Sequence, residues 1–206
     1  VRLARLFGSY ELAERHAMIL AKQYKDYAIK LGVGVYDVKF NLALLWYHCA
    51  RESQGGRRRR KYLSKARGEV KFMKSTREKG CPNLDKILPI LDAEEAYCVV
   101  EQRLSTDVGH LYDAAIRGAS GKLHYESIAL EQAALYHIGR DDVATGGEYM
   151  RRAVSKYLEW NAYAKVASLV DKFGPTGIFS DDDTIARMTL VVPALAVSCC
   201  AESGPS

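Results

Sequence analysis

The sequence predicts an all-α fold, built as a right-handed α-solenoid of stacked antiparallel helical hairpins and followed by a poorly ordered C-terminal tail. Three observations lead to this class. Apolar residues recur at spacings of three and four, as on one face of a helix, most clearly from Tyr10 to Leu31. The chain has only 5 prolines in 206 residues, so few positions interrupt a helix. No stretch sustains the two-residue alternation typical of a strand.

Helix-ending and helix-starting residues divide the first part of the chain. Three helices are predicted there, over residues 10–31, 38–51 and 58–77. Gly32 and Gly34 end the first helix, Asp37 caps the second, and Gly55-Gly56 separates the second from the third. We interpret residues 1–79 as degenerate helical hairpins, because the regular spacing of small residues found later in the chain is not clean here.

A spacing of small residues organises the chain after residue 80. Two triplets share steps of 12 and then 7 residues and lie 38 residues apart: Ala96, Val108 and Ala115, then Ala134, Gly146 and Ala153. Tetratricopeptide (TPR) repeats place small residues at such offsets, because two helices can then cross closely. The spacing predicts two TPR-like repeats with a terminal helix over 80–173, and a linker or tail over 174–206. Within each repeat, the first and last residue of the triplet are expected to face each other.

Four motifs give the chain a resemblance to a known family. They are L-D-A-E at 91–94, Y-D-A-A-I at 112–116, H-Y-E-S-I-A-L-E-Q-A-A at 124–134 and Y-L-E-W-N-A-Y-A-K-V at 157–166. With these motifs the chain resembles the helical-repeat region of large multidomain signalling proteins. In that family a serine/threonine-kinase-like domain and a STAND-type ATPase domain precede the repeats, and a sensor-histidine-kinase module often follows them.

The resemblance implies a non-catalytic segment for interaction and coupling, since the catalytic domains of such parents would lie outside this chain. Its partners would be a protein or peptide in the groove of the repeats and the neighbouring domains of the same parent chain. The chain departs from the family pattern at Ser127, where alanine is more frequent, and at Asn161, where glycine is usual. Asparagine tolerates the left-handed backbone conformation of a helix-ending glycine, so we expect Asn161 to adopt it.

Composition and cysteine usage indicate a cytoplasmic chain. The five cysteines are odd in number and form no C-x-x-C pair, which argues against a disulfide framework. The longest apolar stretch, Met188 to Cys200, is interrupted by polar residues and too short to span a bilayer, and the N-terminal residues do not resemble a signal peptide. Because the sequence begins at Val1, we expect a segment of a longer protein.

The stretches that resemble catalytic or cofactor-binding motifs do not have the residue spacing that those motifs require. The stretch Gly118 to Leu123 has two residues between its glycines and no Ser or Thr after its lysine, unlike a phosphate-binding loop, and is predicted to be a turn. His124 and Glu126 form H-x-E without the P-C-x-x-C that a zinc deaminase needs. We therefore predict no catalytic residue, metal site or cofactor, and keep a small all-α enzyme as an alternative.

The most unusual local feature is a run of five cations, Arg57, Arg58, Arg59, Arg60 and Lys61. The net charge of +5 permits an acidic partner and does not require nucleic acid. We interpret the run as a contact site for an acidic partner or as the solvated turn of a hairpin. A nucleic-acid-binding repeat is the alternative, although no aromatic residue beyond Tyr62 is interleaved with the cations to stack on bases.

Overall fold

The computed structural model describes residues 1–27, 34–100 and 108–179. Every regular element within these ranges is a helix, which confirms the predicted all-α class. The α-helices are α1 (Arg2–Leu6), α2 (Tyr10–Tyr27), α3 (Gly34–Arg51), α4 (Gly56–Glu78), α5 (Leu88–Val100), α6 (Gly109–Ala119), α7 (Leu123–Ile138), α8 (Val143–Glu159) and α9 (Tyr163–Phe173). Short 3₁₀ turns cover Pro82–Lys86 and Gly174–Thr176.

The contacts between residues divide the chain into two units, Val1–Tyr125 and Glu126–Ser206. We refer to them as the first and the second unit. The division falls inside α7, so it does not coincide with the boundaries after residues 79 and 173 that the sequence predicts. Those boundaries were drawn from repeat spacing, and they stay a prediction.

Helix α3 forms the centre of the first unit and packs against α4 and α5. It begins at Gly34, four residues before the predicted start, so Asp37 lies in its first turn and does not cap it. From Phe40 to Tyr47 every side chain is buried, including the amide of Asn41. A helix that is apolar around most of its circumference is buried on most sides, as this one is.

A buried arginine joins α1 to α3. The Arg5 guanidinium donates from Nε and Nη2 to Oδ1 of Asn41, at 3.1 and 2.9 Å. Nδ2 of Asn41 donates in turn to the Asp37 carbonyl oxygen at 2.7 Å. The Arg5 guanidinium and the Asn41 amide are both buried, and these hydrogen bonds replace the ones that they would make with water.

The second unit contains a close approach between α7 and α8. A Cβ atom on Gly146 of α8 would lie 2.6 Å from Cγ1 of Ile138 and 3.0 Å from the Ala134 carbonyl oxygen, both on α7. Only glycine fits at such a distance, which offsets its low helix propensity. The neighbouring Gly147 has more room, because its Cβ would lie 3.5 Å from Arg151 and 3.7 Å from Ile178.

The other predicted repeat-packing residues are buried to different degrees. Ala115, Ala134 and Ala153 are fully buried, and Val108 is buried at the N-cap of α6. Ala96 is only half-buried on α5, and the fully buried alanine of that helix is Ala93, almost one turn earlier. The expected facing of the first and last residue in each triplet stays a prediction.

Two residues other than glycine adopt the left-handed conformation between helices. Asn161, between α8 and α9, has φ +59°, which confirms the conformation predicted for it. Asp141, between α7 and α8, has φ +63°. The sequence does not predict this left-handed conformation for Asp141, although aspartate is among the few residues that adopt it with tolerable strain.

The residues after α9 continue to pack on the second unit. Ile178 and Phe179 are buried, and Nη1 of Arg151 donates to the Ile178 carbonyl oxygen at 2.9 Å. Ile178 and Phe179 are therefore part of the core of this unit, whereas residues 174–177 are exposed. The sequence predicts a linker or tail from 174 to 206, so it does not anticipate these two buried residues. Residues 180–206 lie outside the described ranges.

Asp142 caps the N-terminus of α8, and this gives a pH-dependent prediction. Its carboxylate accepts from the Thr145 N–H at 3.2 Å and lies 3.0 Å from Nδ1 of His137. The hydrogen bonds to Thr145 hold the pKa of the Asp142 carboxyl below its ordinary value. Asp142→Ala should lower the melting temperature at pH 7, because this cap stabilises the helix start.

The difference between wild type and Asp142→Ala should persist above about pH 4, where the unfolded carboxyl is ionised. It should shrink as the pH falls through the lower pKa of the folded state, because both states then bind the proton. Thermal melts by circular dichroism at several pH values measure this. The exposed Asp171 of α9 provides the control Asp171→Ala, which should leave the melting temperature unchanged. An equal loss in both variants would contradict the capping role.

Candidate functional site at the basic end of helix α4

Helix α4 concentrates positive charge. Its 23 residues include ten Lys or Arg and two Glu, a formal charge of +8, whereas the whole chain carries +5. The remaining residues therefore carry a net negative charge. This distribution makes α4 the element on which an acidic group would be attracted most strongly.

The later part of α4 uses its cations within the first unit. Three ion pairs connect it to α5 and to the turn before α5: Arg67 with Glu95 at 2.7 Å, Lys74 with Asp92 at 2.8 Å, and Arg77 with Asp85. These pairs are about half-exposed, so each contributes at most about 1 kcal/mol. Their larger effect is to neutralise this stretch of the helix.

Two of the five predicted contact residues also make internal contacts. Arg59 donates from Nη2 to the Cys98 carbonyl oxygen near the C-terminal end of α5, where a cation is favourable. Arg58 donates from Nε to the Tyr62 hydroxyl at 3.2 Å and lies 3.9 Å from the Glu14 carboxylate, but its side chain remains 68% exposed.

The first turn of α4 has an unfavourable charge pattern for a helix start. It contains no acidic residue, and its N-cap, Gly55, makes no side-chain capping bond. Cations are unfavourable at this end of the helix dipole. In addition, Arg57 is repelled by Arg60 and Lys61, which lie three and four residues later on the same face of the helix. Together with Arg58 these exposed residues form the basic end of α4, which is the predicted contact site without Arg59.

Aromatic rings lie beside the basic end but face the interior. Trp46 and Tyr62 stack with centroids 5.8 Å apart, and they are 3% and 4% exposed. Nζ of Lys65 lies 4.1 Å from the Trp46 ring centroid, a cation–π contact. Burial, and then the neighbouring charge of Lys61, lower the pKa of Lys65. These buried rings cannot stack on nucleic-acid bases.

A closed polar network lies inside the first unit. Oε2 of Glu94 is 2.7 Å from Nη1 of Arg51, and the Tyr112 hydroxyl donates to Oε1 of Glu94 at 2.8 Å. The Glu94 side chain is 1% exposed and that of Arg51 is 11% exposed. Burial and the Glu94 charge raise the pKa of Tyr112, so its hydroxyl stays protonated and donates. Both carboxylate oxygens are occupied, which fits a structural role.

The second unit contains a similar arrangement. Nζ of Lys165 lies 2.8 Å from Oε1 of Glu131, and the Tyr157 hydroxyl donates to Oε2 at 2.6 Å. Glu94 and Tyr112, like Glu131, Tyr157 and Lys165, belong to the motifs that carry the family resemblance. Their motif positions alone do not indicate a role for these residues. The structure assigns them to the polar contacts of the two cores.

Two of the cysteines described in the structure, Cys49 and Cys98, are poor nucleophiles. Burial raises the pKa of both Cys49 and Cys98 to about 11, so their thiols are protonated at neutral pH. Cys49, Cys81 and Cys98 form no disulfide, whereas Cys199 and Cys200 lie outside the described ranges.

The glycine-containing stretch that was compared with a phosphate-binding loop forms a turn between two helices. The stretch from Gly118 to Leu123 covers the end of α6, the turn after it and the first residue of α7, and Gly121 has φ +78° in that turn. Among the described residues, no group of three His, Cys, Asp or Glu side chains is placed to hold a metal ion. No helix in the described ranges has both the length and the apolar character needed to cross a bilayer.

The basic end of α4 is thus a predicted contact site that is also exposed in the structure. The buried carboxylates of Glu94 and Glu131 are instead engaged in hydrogen bonds, and the thiols of Cys49 and Cys98 are protonated. Comparison of the chain with protein-family models, with curated proteins and with solved structures gave no match.

Proposed function

We propose that this chain is a non-catalytic, TPR-like interaction segment that binds an acidic stretch of a partner protein at the basic end of α4. The observation that carries the proposal is the start of α4, which presents four exposed cations within its first two turns and has no acidic residue in its first turn. Local violations of stability rules are expected at functional sites. A carboxylate bound there would offset the like-charge repulsion and would itself be favoured at the positive end of the helix dipole.

An acidic protein segment suits this site better than nucleic acid. Arginine presents a planar fork of donors that matches a carboxylate, and charge-assisted bonds of this kind are the stronger ones. Single-stranded nucleic acid would in addition require aromatic platforms, and the neighbouring rings of Trp46 and Tyr62 are buried. Binding should weaken as salt is added, because the cations are exposed.

The architecture we propose for this function is a right-handed solenoid of helical hairpins. Consecutive packing of α3 with α4 and of α5 with α6 supports it in the first unit, as does the close approach of α8 to α7 in the second. Helical repeats bury their apolar faces by stacking and offer extended surfaces to partners. The family resemblance suggests that the acidic stretch belongs to a neighbouring domain of the same parent chain.

Fluorescence anisotropy with a labelled peptide of eight glutamates tests this proposal. The double variant Arg57→Gln/Arg60→Gln should bind about 2- to 30-fold more weakly than wild type, since each exposed ion pair contributes about 0.2–1 kcal/mol. Lys71→Gln/Lys79→Gln removes the same charge from exposed positions away from the first turn of α4 and should change binding much less. A peptide of eight glutamines should not bind measurably.

Two results would overturn the proposal. If both double variants lost affinity equally, net charge alone would explain the binding and no site would exist at the basic end. If a single-stranded oligonucleotide bound more tightly than the glutamate peptide and kept its affinity at high salt, the nucleic-acid alternative would replace the present one.

A further inference from the structure

A cleft of about 740 Å³ opens in the first unit, apart from the basic end of α4. It lies between α1, the start of α3, the turn Pro82–Lys86 and the start of α7. This volume is within the range of about 300–1,000 Å³ that small-molecule sites occupy. The side chains that line it and carry the argument are Arg2, Asp37, Lys86, Lys122, His124 and Tyr125.

The charged lining of the cleft is predominantly cationic. Arg2, Lys86 and Lys122 contribute three positive charges, and Asp37 contributes one negative charge. Nη1 of Arg2 lies 3.1 Å from Oδ2 of Asp37, and Nζ of Lys86 donates to the Ser120 carbonyl oxygen at 3.1 Å. These contacts fix two of the cations in place and leave an excess of positive charge facing the cleft.

The lining of the cleft also has an apolar and aromatic part. Leu84 and Ile87 line it and are each 1% exposed. The Tyr125 ring packs edge to face against Phe40, with ring centroids 5.6 Å apart. It also contacts the His124 ring, and these two centroids are 3.7 Å apart. These contacts hold the Tyr125 ring in place, so the apolar part has a defined shape.

We propose that this cleft binds a small organic anion, an aromatic or apolar body that carries one phosphate or carboxylate group. The anionic group would lie among Arg2, Lys86 and Lys122, and the apolar body against Leu84, Ile87 and Tyr125. A few polar groups that fix orientation, set in a mostly apolar lining, are the usual composition of a small-ligand site. This site is independent of the acidic partner proposed for α4.

His124 provides a built-in reporter for an anion in the cleft. Burial, and then the positive charge of Arg2, lower the pKa of its imidazole, whereas Asp37 opposes this and Lys122 adds to it. A bound anion would offset the positive charges and raise that pKa, by about one unit for a charge within roughly 4–6 Å. By linkage, an anion whose own charge is constant in this pH range, such as the carboxylate of phenylacetate, should bind more tightly as His124 becomes protonated with falling pH.

The experiment is a titration of the full chain with phenyl phosphate, followed by NMR of the histidine ring protons over a range of pH. We expect saturable shifts at His124 and an upward change in its pKa. Inorganic phosphate, which lacks the ring, and benzyl alcohol, which lacks the charge, should each bind at least about 10-fold more weakly. Phenylacetate should also bind if the anionic group is recognised by its charge. Its affinity relative to phenyl phosphate shows whether the cleft prefers a carboxylate or a phosphate group.

Variants locate the site. Lys122→Gln should weaken the binding of phenyl phosphate about 1.5- to 5-fold, as expected for the loss of one exposed ion pair. Lys71→Gln removes an equal charge outside the cleft and should leave the affinity unchanged. Circular dichroism verifies that both variants remain folded. Absence of a saturable shift at His124, equal loss in both variants, or inorganic phosphate binding as tightly as phenyl phosphate would each overturn the proposal.

Discussion

Glu94→Ala is expected to destabilise the first unit by about 3–5 kcal/mol, the cost of breaking a buried ion pair. Its carboxylate is the acceptor for both Arg51 and Tyr112, and the Arg51 side chain is only 11% exposed. Removing the carboxylate leaves a buried guanidinium without its counter-ion and a buried hydroxyl without its acceptor. Urea unfolding monitored by circular dichroism measures the loss.

A second variant separates the charge from the loss of volume. Arg51→Met/Glu94→Gln removes both charges and keeps an amide oxygen that can accept from Tyr112. It should recover most of the stability lost in Glu94→Ala, because the stranded charge is the main penalty. The exposed pair of Lys74 and Asp92 is the control, and Asp92→Ala should lose no more than about 1 kcal/mol. Similar losses in Glu94→Ala and Asp92→Ala would contradict the network's role.

Gly146→Ala is expected to destabilise the second unit by about 1–3 kcal/mol, the usual effect of overpacking. The new methyl group would lie 2.6 Å from Cγ1 of Ile138 and 3.0 Å from two backbone atoms of α7. A side chain can move away from such a contact, but the backbone of α7 must shift as a whole. The change therefore destabilises the protein although alanine favours helix by about 1 kcal/mol relative to glycine.

Gly147→Ala is the matched control on the same helix. Its methyl group would make ordinary contacts, 3.5 Å from Arg151 and 3.7 Å from Ile178, so no atom has to move. The gain in helix propensity should then stabilise the unit by up to about 1 kcal/mol. Opposite signs for the two adjacent substitutions, measured by urea unfolding, would support the close crossing of α7 and α8. Equal effects would show that the crossing is not tightly packed.

The elements that local pattern determines were predictable from the sequence. The spacing of apolar residues and the two glycines at 55–56 place α4 within two residues of its observed start, and the Gly-to-Asn change predicts the left-handed Asn161. The start of α3 was placed too late because Asp37 resembles a helix cap. It instead lies in the first turn, where a carboxylate also favours the positive end of the helix dipole.

Pairings between distant residues were not predictable in this way. Arg51 and Glu94 are 43 residues apart, Glu131 and Lys165 are 34 apart, and Arg59 reaches a carbonyl 39 residues away. No local periodicity encodes such contacts, since they depend on how helices pack. The cleft near His124 was missed for the same reason, because its lining comes from four separate stretches of the chain.

The Glu94 network also constrains the order in which the chain can fold during synthesis. Arg51 emerges from the ribosome 43 residues before Glu94, an interval of roughly two to nine seconds at about 5–20 residues per second. Until then, burying the guanidinium would strand its charge in the interior, so this end of α3 remains hydrated. Tyr112 follows 18 residues later and completes the set. We therefore expect the end of α3 to dock only once α5 has been made.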